Sequence, residues 1–253
     1  MTVDAGIAKN LDGKATARDI RREVSVGCAA LLEGRGVVPG LTVVLVGDHP
    51  ASKVYVRNKE RAARNAGMSS EVLQLPGSTS ERDLLDTVRR LNDDPAVHGI
   101  LVQLPLPDGV DPDRVLQSID PDKDVDGFHP INAGRLLVGL PGFVPATPSG
   151  IIELLKRNDI EMKGKRAVVL GRSNIVGKPM AILLLRENAT VTVCHSRTED
   201  LAAVASEADI LVAAIGRVGM VTGRFIKPGA VVVDVGIHTV TDESTVRRLF
   251  GND

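Results

Sequence analysis

The sequence predicts an α/β fold made of two βα domains, each built on a parallel sheet. Three observations carry this reading. Short apolar runs alternate with helical patterns through both halves of the chain. The runs are continuous rather than alternating, as strands covered on both sheet faces require. A stretch rich in Pro, Gly and Asp, Asp120–Pro148, separates the two series. The division is placed near residue 145, giving domains 1–145 and 146–253.

The elements follow in order. Thr16 through Gly34 has helical periodicity and ends at a glycine. Leu41-Thr-Val-Val-Leu-Val-Gly47 reads as a buried strand, and Pro50 marks where a helix begins, running from about Ser52 to Asn65. Glu71–Leu75 is a short strand, and Ser80 caps a helix with Asp83 at its third position. His98–Pro105 is the next strand and Asp111–Ile119 a short helix. Asp120–Pro148 reads as long connecting loops, after which Thr147 caps a helix with Pro148 at its first position. Four further strands follow, at Arg166–Gly171, Ala189–His195, Asp209–Gly216 and Ala230–Gly236. Right-handed βαβ crossovers join such strands into a parallel sheet.

Composition narrows the function classes. Thirty-one basic and 32 acidic residues give a net charge of -1, which offers no attraction to nucleic acid or to a membrane surface. Aromatic residues make up 2% of the chain and Trp is absent, so base-stacking platforms are not expected. Cys28 and Cys194 form no metal-ligand spacing and no redox pair, and read as free buried thiols in a reducing compartment. The start of the chain has no secretory pattern and no apolar run approaches the ~18 residues of a membrane span, so a cytoplasmic location is expected.

The most informative segment is Ser52-Lys-Val-Tyr55-Val-Arg-Asn-Lys59. Residues three and four apart share a helix face, so Ser52, Tyr55 and Lys59 line one side. That side brings a hydroxyl, the only Tyr in the chain and an amine near the carboxyl end of a strand, where open α/β sheets place their sites. The plain alternative is an amphipathic helix with a packed Tyr and a solvated Lys. Gln103 ends the strand that begins near His98, and an amide in an apolar strand requires partners. If strand 41–47 is its neighbour, Gln103 polarises a reacting group or orients Lys59; a Gln bonded to a loop is the alternative. Asp122-Lys-Asp124-Val-Asp126-Gly127 resembles the start of a calcium loop, but the closing position holds Ala133, which excludes calcium. Asp126 is left either to accept hydrogen bonds from an amidine-like edge or to form a simple Asx turn.

In the second half, Gly171-Arg-Ser-Asn-Ile-Val-Gly177 joins a strand to a helix, a place where tight turns and free N–H groups bind phosphate. Ser173 stands where a strict G-x-G-x-x-G has its second glycine, so the motif alone is weak. The next strand ends Cys194-His-Ser196-Arg197 without the carboxylate that usually holds an NAD ribose. Arg172, Ser196 and Arg197 suit a 2′-phosphate instead, which favours NADP; solvated surface arginines are the alternative. His195 is assigned no chemistry.

Taken together, the chain closely resembles the bifunctional methylenetetrahydrofolate dehydrogenase/methenyltetrahydrofolate cyclohydrolase family. The resemblance is carried by Pro50–Lys59, Val102-Gln103-Leu-Pro-Leu106, Lys123-Asp-Val-Asp126-Gly127 and Ile131-Asn-Ala-Gly134. It continues through Pro145-Ala-Thr-Pro148, Gly171-Arg-Ser173, Val176-Gly-Lys-Pro179, Cys194-His-Ser196 and Asp234-Val-Gly-Ile237, in the family's order. It implies a Rossmann-type NADP-binding second domain, with an active-site cleft between the two domains. The implied activity is oxidation of 5,10-methylenetetrahydrofolate by NADP, followed by hydrolysis to 10-formyltetrahydrofolate, within one-carbon metabolism and purine biosynthesis. The implied roles are Lys59 as central catalytic residue, Gln103 tuning it, Tyr55 stacking on the folate, Ser52 assisting and Asp126 holding the pterin edge. The nucleotide would lie against Gly171, Arg172, Ser173, Gly177, Ser196, Arg197 and Ile237. A homodimer through the nucleotide-binding domains is also implied.

The resemblance departs after Ile237, where the family continues through a Pro-Val-Pro-Gly-Gly-Val-Gly-Pro loop and a helix that the 253 residues do not contain. The charged stretch Thr241–Asp253 suits the start of a truncated segment, and an impaired or non-catalytic folate/NADP-binding protein is the alternative expectation. A different NADP-dependent dehydrogenase of the same layout, acting on a hydroxy acid, would leave Lys59, Gln103 and Asp126 without employment.

Overall fold

The computed structural model describes residues 8–237 and 240–251. The chain divides into two compact units between Val144 and Pro145. Unit 1 runs α1 (Gly13–Arg35), β1 (Gly40–Val46), α2 (Pro50–Asn65), β2 (Ser69–Leu75), α3 (Glu81–Asp93), β3 (Gly99–Val102), α4 (Pro112–Ser118) and α5 (Pro130–Val138). Its sheet has the order β2-β1-β3, all parallel. Alternate residues of the central strand point to opposite faces. Val43 and Leu45 pack with Val56 of α2 on one side, while Val44 and Val46 pack with Leu84, Val88 and Val115 of α3 and α4 on the other. Both faces of β1 are therefore covered, which is why its apolar run is unbroken.

Unit 2 runs α6 (Ala146–Arg157), β4 (Arg166–Leu170), α7 (Gly177–Arg186), β5 (Thr190–Cys194), α8 (Leu201–Ser206), β6 (Ile210–Ala213), a 3-10 turn (Gly223–Phe225), β7 (Val231–Asp234) and α9 (Glu243–Phe250). The sheet is parallel in the order β5-β4-β6-β7. Its core joins Val168, Leu170, Cys194 and Leu211 to Ala205 and Ala208. Cys28 and Cys194 are free and buried, and burial raises the Cys194 thiol above its ordinary range.

Three expectations need correction. The stretch 120–148 is not all loop, because it contains α5. Pro130 opens this helix, the His129 side chain accepts from the Ile131 amide, and Gly139 closes it with left-handed backbone. The density of Pro and Gly that reads as loop is in part the punctuation of a short helix. Thr147 does not cap α6, which starts at Ala146 after Pro145 without a side-chain cap. The strands of unit 2 are not all covered on both faces, since the edge strands β5 and β7 keep Val193 and Val232 exposed. Of the tail 241–253, residues 243–250 form α9, capped by Asp242, whose carboxyl is lowered to about 2 by hydrogen bonds from Thr245. Asn252 and Asp253 lie outside the described residues.

Candidate active site

In unit 1 the parallel pairing of Val44 with Val102 brings the carboxyl ends of β1 and β3 side by side. The turn after β1 is held by Asp48, which accepts from Lys53 Nζ at 2.7 Å and from Gln74 Nε2 at 2.8 Å. These bonds hold the Asp48 carboxyl below the ordinary carboxylate range. Pro50 then opens α2 at its first turn, where a missing N–H costs nothing. One residue past β3, the Gln103 amide N–H donates to Val44 O at 2.9 Å.

Lys59 and Gln103 meet across these two strand ends. Lys59 Nζ donates to Gln103 Oε1 at 3.1 Å, and Gln103 Nε2 donates to the Leu104 carbonyl at 2.8 Å. The second bond fixes which way the amide faces, so its oxygen is turned to the ammonium. Asp126 is the third member. Burial pushes its carboxyl up, the Lys59 charge pulls it down, and the Asp124 charge pushes it up again. Ser52 is buried on the same helix, and its hydroxyl has no hydrogen-bond partner among the described residues. Tyr55 is 50% exposed and leaves a ring face open to a ligand. The sequence-predicted set Lys59, Gln103 and Asp126 is thus brought together, with Ser52 and Tyr55 on the adjoining helix face. The structural support beneath Asp126, described below, gave no such signal.

In unit 2, Gly171 has φ +123°, and a Cβ there would lie 2.3 Å from Ala214 O. A Cβ on Gly177 would lie 2.3 Å from Gly171 O, so the β4–α7 turn closes to backbone contact at two glycines. The expected free amides at the start of α7 are corrected by Ser173. Its Oγ accepts from the N–H groups of Val176 and Gly177, and its carbonyl accepts from Lys178. The serine that breaks the glycine motif therefore takes up the amides at the helix start itself. The amides of Arg172, Ser173, Asn174 and Ile175 have no hydrogen-bond partner among the described residues and remain available to an anion.

Arg172 and the exposed Ser196–Arg197 pair follow the paired strand ends Leu170 and Cys194. Neither guanidinium has an ion-pair partner among the described residues. A glycine turn, available amides and two unpaired cations at adjacent strand tips fit a phosphorylated dinucleotide. His195 is occupied structurally, its Nδ1 accepting from the Arg197 amide and its backbone N–H donating to Thr198 Oγ1. Ile237 is 82% exposed beyond β7, and no hydrogen bond among the described residues joins it to the glycine turn. Sequence reasoning missed the segment after β6. Ile215–Val221 lines a cavity of ≈ 480 Å³ with Asp234 and Gly236. Gly216 and Gly219, both left-handed, were the available signal.

Both units resemble those of known proteins. Residues 11–126 match the tetrahydrofolate dehydrogenase/cyclohydrolase catalytic domain, and residues 145–252 match the NAD(P)-binding domain of the same family. The chain is 58% identical over 228 residues to the bifunctional protein FolD of Streptococcus pneumoniae serotype 4, covering 90% of this chain and 80% of that one. The FolD crystal structure from Campylobacter jejuni superposes with a TM-score of 0.89 at 46% identity, covering 91% of this chain and 82% of the other. The Trypanosoma brucei methylenetetrahydrofolate dehydrogenase-cyclohydrolase, complexed with NADP cofactor and inhibitor, has a TM-score of 0.88 at 42% identity, with coverages of 94% and 82%. The chain belongs to the tetrahydrofolate dehydrogenase/cyclohydrolase family.

Proposed function

We propose that the chain oxidises 5,10-methylenetetrahydrofolate to 5,10-methenyltetrahydrofolate with NADP and then hydrolyses that product to 10-formyltetrahydrofolate. The observation that carries this reading is the Lys59–Gln103 hydrogen bond beside half-buried Asp126, in a chain of this family. NADP, when bound, supplies the acceptor for the hydride that leaves the methylene carbon. Gly171, Ser173 and Gly177 would shape the turn that holds it, Arg172, Ser196 and Arg197 would take its 2′-phosphate, and Ile237 would contact it.

The protein's own groups act chiefly in the hydrolytic half. Water adds at the methenyl carbon, and Lys59 takes up the proton it releases. The C–N5 bond then breaks, N5 takes the hydroxyl proton, and the formyl group stays on N10. One proton is released overall. Gln103 Oε1 holds the Lys59 amine in place, and Asp126 accepts from the pterin edge. Tyr55 stacks on the aminobenzoyl ring and Ser52 offers its unpartnered hydroxyl.

The test mixes purified protein with methylenetetrahydrofolate and NADP and follows methenyl absorbance as it appears and decays. Turnover followed by decay is expected, and absence of turnover sinks the reading. The alternative of an impaired binding protein is not favoured in a chain so similar to proteins named as bifunctional. We further propose a cytoplasmic homodimer serving one-carbon supply to purine synthesis. The free buried thiols support the compartment, and the exposed edge strand β5 supports association through unit 2. Among the described residues no helix is long and apolar enough to cross a membrane.

A further inference from the structure

We propose that Asp124 is a positioning residue for the folate site, holding the turn that presents Asp126 beside Lys59. The proposal rests on the assignment of Asp126 to the substrate. Asp124 is 1% exposed and has no cation partner among the described residues, an expensive state for a carboxylate. Two neutral donors from the start of α5 hold it, since its Oδ2 accepts from the His129 amide and from Asn132 Nδ2, both at 2.9 Å.

Those donors are themselves fixed. Asn132, also 1% exposed, donates to Pro121 O at 2.8 Å through the same Nδ2 and accepts from Arg135 Nη1 at 3.2 Å. His129 Nδ1 accepts from the Ile131 amide, and its Nε2 donates to Gln117 O. The network is therefore closed, and Asp124 is its link to the site. Its carbonyl accepts from the Gly127 amide at 3.1 Å, closing the turn in which Asp126 stands third.

The other side of the turn is docked on β3 and α3. Ile100 N–H donates to Lys123 O at 2.7 Å, and Lys123 Nζ donates to the carbonyls of Leu91, Asn92 and Asp94 at the end of α3. Val125 lies over Gly99, where a Cβ would stand 2.5 Å from Val125 Cγ1. Ile100, the α3 carbonyls and Gly99 thus seat the turn on one side, and Asp124 ties it to α5 on the other, where Arg135 of α5 also pairs with Asp122 just upstream. The Asp124 charge also disfavours ionisation of Asp126, behind burial among the causes that raise it.

Steady-state kinetics on the full chain tests the proposal with Asp124→Ala, Asn132→Ala, Asp124→Asn and Asp126→Ala. Displacing a binding group by an ångström costs up to ~10²-fold, so Asp124→Ala and Asn132→Ala are each expected to raise the KM for methylenetetrahydrofolate about tenfold. The KM for NADP should stay within about twofold, because unit 2 carries that site. Asp124→Asn keeps an acceptor oxygen and should hold the folate KM within about threefold of the parent. Equal rises in both KM values, or an Asn variant as poor as the Ala variant, overturn the proposal. If Asp126→Ala leaves the folate KM unchanged, the assignment of Asp126 has failed. If Asp126→Ala raises it while Asp124→Ala and Asn132→Ala do not, the positioning role has failed. Should circular dichroism show Asp124→Ala unfolded, Gly99→Ala disturbs the same turn from the β3 side. It should raise the folate KM selectively, and an unchanged value counts against the proposal.

Discussion

Lys59 of α2 and Gln103 beyond β3 are joined by a 3.1 Å hydrogen bond, although 44 residues separate them in sequence. The contact follows from strand order. β1 and β3 are neighbours, α2 leaves the carboxyl end of β1, and Gln103 extends β3 by one residue. A lysine on a free surface helix would have water as its partner; Lys59, in the third turn of α2, has an amide oxygen whose orientation is already set.

Replacing Lys59 with Met removes the proton carrier and keeps the bulk of the side chain. Hydrolysis of methenyltetrahydrofolate should fall about 10²–10⁴-fold, the range of general acid–base catalysis. Gln103→Ala should cost less, since the amine survives and only its tether is lost. Decay of methenyl absorbance in the absence of NADP measures both. Unchanged decay in the Met variant would remove Lys59 from its role.

Asp126 has a signature in stability against pH. Burial raises its folded carboxyl above the ordinary value of 3.8, so the folded chain binds this proton more tightly than the unfolded chain. The stability it contributes is full below 3.8 and is lost as pH rises through the folded value. Asp126→Asn stays neutral throughout and should exceed the parent in Tm near pH 7, with the gap closing in acid. Thermal melts of the ligand-free proteins across this range provide the check; a gap that widens in acid has the wrong sign.

On the proposed reading, cofactor choice depends on the two unpaired cations Arg172 and Arg197. A charge-assisted hydrogen bond contributes about 1.5–3 kcal/mol, so Arg172→Ala or Arg197→Ala should each raise the KM for NADP roughly ten- to hundredfold. The KM for NAD should hardly move, because NAD lacks the 2′-phosphate. Comparing the two cofactors in one assay separates this from general damage, which would affect both alike.

Gly171→Ala should destabilise the chain by about 2–4 kcal/mol, the range for forced clash and strained backbone. The added methyl meets the Ala214 carbonyl at 2.3 Å, at a φ of +123° that alanine rarely adopts. Denaturant unfolding measures the loss. A change below about 0.5 kcal/mol would mean that the turn relaxes without resistance.

Most of the fold was readable from the sequence, because each strand is a compact apolar run between helix signals. The Lys59 helix and Gln103 were readable for a related reason: a polar residue at an apolar strand end is conspicuous. α5 was not readable, since it is short and its cap is a histidine, a residue outside the usual capping set. The role of Ser173 was also hidden, because replacing a motif glycine looks like loss of an anion site rather than gain of an acceptor for the amides of Val176 and Gly177. Asp124 was obscured by Asp122 and Asp126, which share its spacing and differ only in what surrounds them. Sequence spacing cannot distinguish a carboxylate facing solvent from one enclosed by Asn132 and His129.

The Lys123 ammonium, seated on three carbonyls at the end of α3, ties the Asp126 turn to a helix of the unit 1 core. The turn therefore pays its conformational entropy when unit 1 folds, so the carboxylate proposed to meet the substrate is ordered in advance. The amide protons of Asp124 and Gly127, which donate to Asp120 O and Asp124 O, should exchange with the slow protons of α3, through opening of the whole unit, instead of with those of surface loops.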